Sequence, residues 1–200
     1  EGFHPLLKSF KNGKIQAVEN PEEAYPFKQV EGEGVYQIPV GPVHAGIIEP
    51  GHFRFSVIGE SIFNLETRLF YKHRGIEKLA EGKSPSACVP IAEAISGDET
   101  VANAVAFCTA VEKIAGIEVP PRASYLRAIF LELERIYSHI GDLSGMITDI
   151  GFPRMTTPFL ILRENIFRQN ELLTGSRFMR GAVDLGGVKK EISGETLSKL

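Results

Sequence analysis

The sequence predicts an α+β fold, mainly α, in which a small N-terminal antiparallel sheet docks on a bundle of long helices. Three observations lead there. Between Gly34 and Phe70 apolar and polar residues alternate with a period of two, as half-buried strands require. From Lys72 onward apolar residues recur three or four positions apart, in stretches bounded by glycine or proline. The change from one period to the other happens once, so strands and helices are segregated along the chain.

Taken in order, residues 1–33 contain Pro5, Pro21, Pro26 and scattered lysines without sustained periodicity, and read as an irregular lead-in or linker. Residues 34–200 read as one further domain. Val35–Val40 and His52–Ile58 are strands, and a third runs from Ser61 to Phe70 after a Gly59-Glu60 turn. A helix over Lys72–Glu81 stops at Gly82, and a second covers Ser86–Ile95. A third, capped by Asp98, runs to about Ala115 with Val101, Val105, Cys108, Val111 and Ile114 as its core stripe, and ends at Gly116. Pro120-Pro121 opens a long helix from Arg122 to Ile147, whose apolar face carries Leu126, Ile129, Phe130, Leu133, Ile136, Tyr137 and Ile140. A turn at Gly151-Phe152-Pro153 precedes the last helix, Pro158–Gly181, and Gly186-Gly187 breaks the chain again.

Composition excludes several classes of function. A formal net charge of -3, with 43% hydrophobic and 24% charged residues, describes a globular chain without the basic footprint of a nucleic-acid binder. The apolar runs Ala104–Val111 and Met155–Leu162 are too short to cross a bilayer, so any membrane connection is expected to run through partner subunits. Cys88 and Cys108 lie in apolar surroundings without Cys-x-x-Cys spacing, which fits buried thiols in a reducing compartment and a cytoplasmic location. No glycine loop of the dinucleotide-binding type follows a strand, so NAD is not expected on this chain.

Four stretches carry chemistry-bearing residues. They are Gly41-Pro42-Val43-His44 with Glu49-Pro50-Gly51-His52-Phe53-Arg54; Tyr71-Lys72-His73-Arg74-Gly75-Ile76-Glu77-Lys78; Ser96-Gly97-Asp98-Glu99 followed by Asn103; and the helical run from Arg127 through Glu132, Glu134 and Arg135 to His139. Together, from Gly41 to Glu191, they resemble the large subunits of nickel–iron hydrogenases and the homologous 49-kDa-type subunit of respiratory complex I. The resemblance is strongest to the formate hydrogenlyase and energy-converting hydrogenase branch, of which the chain matches the N-terminal part.

The resemblance assigns roles residue by residue. Hydrogenases of the family read Cys-Gly-x-Cys-x-x-x-His where this chain reads Ser96-Gly97-Asp98-Glu99 and Asn103, so Ser96 and Glu99 stand at nickel-ligand positions. Neither a hydroxyl nor a carboxylate replaces a bridging thiolate, and no metal is expected here. Ser96, Asp98, Glu99 and Asn103 offer oxygen donors for a hard cation, but helix capping by Ser96 and Asp98, with Glu99 in the first turn, accounts for the same residues. Glu49 falls where the family carries a proton-passing glutamate, and with His44 is the catalytic candidate; the plainer role for Glu49 is an ion pair in a hairpin turn. In complex I relatives a histidine and a tyrosine contact quinone, yet Pro50 and the Glu81–Ser86 stretch occupy those places. His73, Arg74, Glu77, Arg127, Glu134, Arg135 and His139 are assigned to a pocket or subunit-interface network, with Arg135 and His139 one turn apart on the long helix.

The implied function is that of a subunit in a membrane-associated, multi-subunit oxidoreductase complex, of the NADH:quinone oxidoreductase or formate hydrogenlyase type, linking electron transfer to ion translocation without hydrogenase activity. The implied partners are an iron–sulfur small subunit, which would hold the cluster, other subunits of a membrane-bound complex, and quinone. The expected location is peripheral to the inner face of the cell membrane. A non-catalytic scaffold that keeps the iron–sulfur interface and a quinone oxidoreductase with an altered site are the two alternatives. No cofactor is expected within the segment itself.

Overall fold

The computed structural model describes residues 7–11, 14–17, 27–28, 30–42, 50–69, 71–189 and 192–194. They belong to two compact units, Glu1–Gly75 and Ile76–Leu200.

The first unit begins with an antiparallel hairpin, β1 (Leu7–Lys11) and β2 (Lys14–Ala17), in which Phe10 pairs with Ile15 and Lys11 with Lys14. The stretch predicted to be an irregular lead-in therefore contains regular structure. Its strands have five and four residues, too few for alternation to register. The usable signal is the Asn12-Gly13 dipeptide between them, which is favoured in two-residue hairpin connections.

The predicted three-stranded sheet is present as β3 (Val35–Val40), β4 (His52–Ile58) and β5 (Ser61–Arg68), antiparallel in the order β3-β4-β5. Ile38, Phe55 and Leu65 lie directly opposite one another across it, and so do Val40, Phe53 and Thr67. Gly59, at φ 58, supplies the left-handed residue that lets β4 turn straight into β5. A bulge beside Ser56 and Val57 sets Phe63 out of register, because Ser56 pairs with Asn64 but Val57 with Ile62.

The second unit is helical: α1 (Ile76–Ala80), α2 (Pro85–Glu93), α3 (Thr100–Ala115), α4 (Pro121–Asp149) and α5 (Thr156–Thr174), followed by the hairpin strands β6 (Val183–Asp184) and β7 (Gly187–Val188). Helix α1 is shorter than predicted because Gly75 immediately before it has φ 65, outside the helical region. Ser84 caps α2 by accepting from the Ala87 N–H, with Pro85 at the first helical position. Gly116, at φ 68, closes α3 as expected.

Helix α5 stops at Thr174, seven residues before the predicted end at Gly181. Gly175 adopts φ 79, and the Thr174 hydroxyl lies within hydrogen-bonding reach of both the Asn170 and Ser176 carbonyls, which turns the chain out of the helix. A tightly held loop comes next, and then the β6–β7 hairpin, centred on the predicted break at Gly186.

The core of this unit joins Val101, Ala104 and Cys108 of α3 to Leu126, Phe130 and Tyr137 of α4, and to Phe167 and Leu173 of α5. Tyr137 and Phe167 have ring centroids 4.8 Å apart, and Phe178 completes a three-ring cluster with them.

Candidate functional site

The loop before α3 holds Ser96, Gly97, Asp98 and Glu99, and its conformation is set from outside. Glu99 is the N-cap residue but makes no side-chain cap bond. The predicted capping by Ser96 or Asp98 is thus replaced by a carboxylate from α4. Glu134 Oε2 accepts from the Val101 N–H at 2.6 Å, and Oε1 accepts from the Ala102 N–H at 2.8 Å. These are the second and third residues of α3, whose amides have no acceptor within the helix. A negative charge at this end also meets the positive end of the helix dipole. Local sequence could not reveal the cap, since its acceptor comes from another helix.

Tyr137, one turn beyond Glu134, donates its hydroxyl to the Asp98 carbonyl and lies 3.4 Å from Glu134 Oε2. Arg163 of α5 crosses to the same place, donating from Nε to the Tyr137 carbonyl at 3.1 Å and bringing Nη2 to 3.8 Å from Asp98 Oδ2. Gly141 makes that crossing possible, because a Cβ there would come within 2.8 Å of Arg163 Cζ. Within the loop, Thr100 Oγ1 donates to the Gly97 carbonyl and Asn103 Nδ2 to the Glu99 carbonyl. The loop is held by three elements together.

Burial raises the Glu134 carboxyl above the ordinary glutamate range, opposed by the bonds from Val101, Ala102 and Tyr137 and reinforced by the Glu99 charge. Burial also pushes the Tyr137 phenol upward, so it serves as a neutral donor.

A second buried network lies further along α3 and α4. Arg127 makes a two-pronged pair with Glu112, donates from Nε to the Gly187 carbonyl, and donates from Nη2 to the Asp184 carbonyl. Glu112 also accepts from the Gly186 N–H. Arg127 holds Glu112 below the usual carboxylate range, with burial opposing. Glu93 of α2 accepts from the Gly181 N–H at 2.7 Å, and burial raises its carboxyl. The loop after α5 is consequently tied to α2, α3 and α4.

Of the residues singled out from sequence, Arg127 and Glu134 sit inside the helical unit, two turns apart on the buried side of α4. Arg135 and His139 are exposed, and Arg135 pairs with Glu132 at 3.4 Å. His73, Arg74 and Glu77 are exposed as well. His44 and Glu49 lie outside the described residues. Tyr137, Arg163, Glu112 and Glu93 were not singled out. Glu112 was legible, since it continues the stripe Val101, Ala104, Cys108 by one more turn and places a charge on an apolar face, where it needs a partner.

The donor set at the loop does not fit a nickel–iron centre. Ser96 and Glu99 offer hard oxygen in place of thiolate, Asp98 is drawn toward Arg163, and the Asn103 amide is turned to its own backbone. Cys88 and Cys108 are buried in α2 and α3, and burial pushes the Cys108 thiol up to about 11. Among the described residues no group of three or more His, Cys, Asp or Glu side chains is gathered for a metal ion, and no helix is long and apolar enough to cross a membrane.

No protein-family model matches the chain. It is 39% identical over 194 residues to hydrogenase-4 component G of Escherichia coli (strain K12), an alignment covering 96% of this chain and 35% of that protein. It is 37% identical over 166 residues to the D-type subunit of NADH-quinone oxidoreductase from Dehalococcoides mccartyi, covering 80% of this chain and 44% of the relative. The chain thus spans between a third and a half of the length of these relatives. Among solved structures, a chain of the membrane-bound sulfane sulfur reductase, an archaeal respiratory membrane complex, superposes with a TM-score of 0.75 at 26% identity, over 88% of this chain and 46% of that one.

Proposed function

We propose that this chain, which belongs to the family of nickel–iron hydrogenase large subunits and D-type subunits of NADH-quinone oxidoreductase, serves in a membrane-associated, multi-subunit oxidoreductase complex without nickel chemistry. The observation that carries this reading is the Ser96–Glu99 loop. Its family thiolates are replaced by oxygen side chains, yet Glu134, Tyr137 and Arg163 hold it in a defined shape. A scaffold kept in order around a changed donor set fits a redox subunit whose reaction is not hydrogen cleavage. The solved relative described as a sulfane sulfur reductase lends support, since its named substrate is not hydrogen.

In this reading the partner is an iron–sulfur small subunit that holds the cluster. Electrons pass through the complex in a process linked to ion translocation, with quinone or sulfane sulfur as acceptor classes to test. The chain itself lies on the cytoplasmic side of the membrane, attached through its partners. Glu49 and His44 are the residues assigned to proton transfer, and the exposed His73, Arg74, Glu77, Arg135 and His139 to partner contacts.

A second reading, a scaffold that retains the interface and has lost its chemistry, draws on one specific observation. Arg127, Glu112 and Glu134, the charged groups on the inward sides of α3 and α4, are all engaged by backbone or by one another. The two readings separate in the intact complex. Turnover of quinone or sulfane sulfur that falls in Glu49→Gln, with the iron–sulfur partner still bound, supports the redox subunit. Full assembly with turnover indifferent to Glu49 and His44 supports the scaffold.

A further inference from the structure

We draw no further inference here: the strongest candidate, the exposed apolar stripe of Ile136, Leu143, Met146 and Ile150 along the outward side of α4, carries nothing because nothing in the structure shows what covers it.

Discussion

Arg127 Nη2 lies 2.6 Å from Glu112 Oε1 and Nη1 lies 3.0 Å from Oε2, with the two side chains only 7% and 5% exposed. Because Arg127 also bonds to the Gly187 and Asp184 carbonyls, this pair decides where the chain lies after α5.

Removing one member of the pair leaves a buried charge without its partner. Arg127→Leu is expected to destabilise the protein by about 3–5 kcal/mol, whereas Arg127→Leu with Glu112→Leu should recover part of that loss. Chemical denaturation of both variants checks it; equal loss in the single and double variants would show that the backbone contacts of Arg127 dominate instead.

The same pair fixes the sign of one pH effect. Glu112 titrates below its ordinary value in the folded state, so its contribution is present above the ordinary glutamate range and is lost as pH falls through the depressed folded value. Glu93 and Glu134 act oppositely. Their raised folded values favour the fold at low pH, and stability from them declines as pH rises from the ordinary glutamate value through the folded one. Glu93→Gln should therefore flatten the neutral-side decline and leave the acid limb alone, read as unfolding free energy against pH.

A Cβ at Gly141 would come within 2.8 Å of Arg163 Cζ and push the guanidinium aside. Gly141→Ala is expected to cost at most about 1 kcal/mol net, because the displaced Arg163 guanidinium loses its bond to the Tyr137 carbonyl while alanine favours the helix over glycine. Raised hydrogen exchange around Asp98 should accompany the loss. Unchanged stability would mean that Arg163 moves aside freely.

Cys108 is fully buried, and burial pushes its thiol up to about 11, which keeps it protonated at neutral pH. Thiol reagents should label it only at the rate at which the protein opens. Fast labelling in native buffer, equal to that in denaturant, would refute the packing described for α3.

Arg135 and His139 are exposed on α4, one turn apart. Replacing both with alanine should leave the fold and its thermal stability within about 0.5 kcal/mol, and should weaken co-purification with the proposed iron–sulfur subunit. Unchanged assembly would assign that side of α4 to something other than this partner.

Much of the architecture was legible because it depends on local signals. Gly59 marks the strand turn, Gly116 the end of α3, and Pro121 the start of α4, each through its own backbone preference. The end of α5 was missed, although Thr174-Gly175-Ser176 carried the same kind of signal as Gly116, because apolar residues continue beyond it in Phe178, Met179, Ala182 and Val183. Met179, Ala182 and Val183 are buried and Phe178 partly so, but in a segment tied down by Glu93, Glu112 and Arg127. The candidate site was half legible. That Ser96 and Glu99 stand at thiolate positions is what the family resemblance implies, while the capping of α3 by Glu134 joins residues more than thirty positions apart and exists only once the helices pack.

That this family scaffold works without nickel is tested most directly by the metal content of the purified intact complex. The expected result is iron in cluster stoichiometry with the co-purifying partner subunit and nickel far below one equivalent per copy of this chain. About one nickel per chain, retained through purification and lost on unfolding, would contradict it.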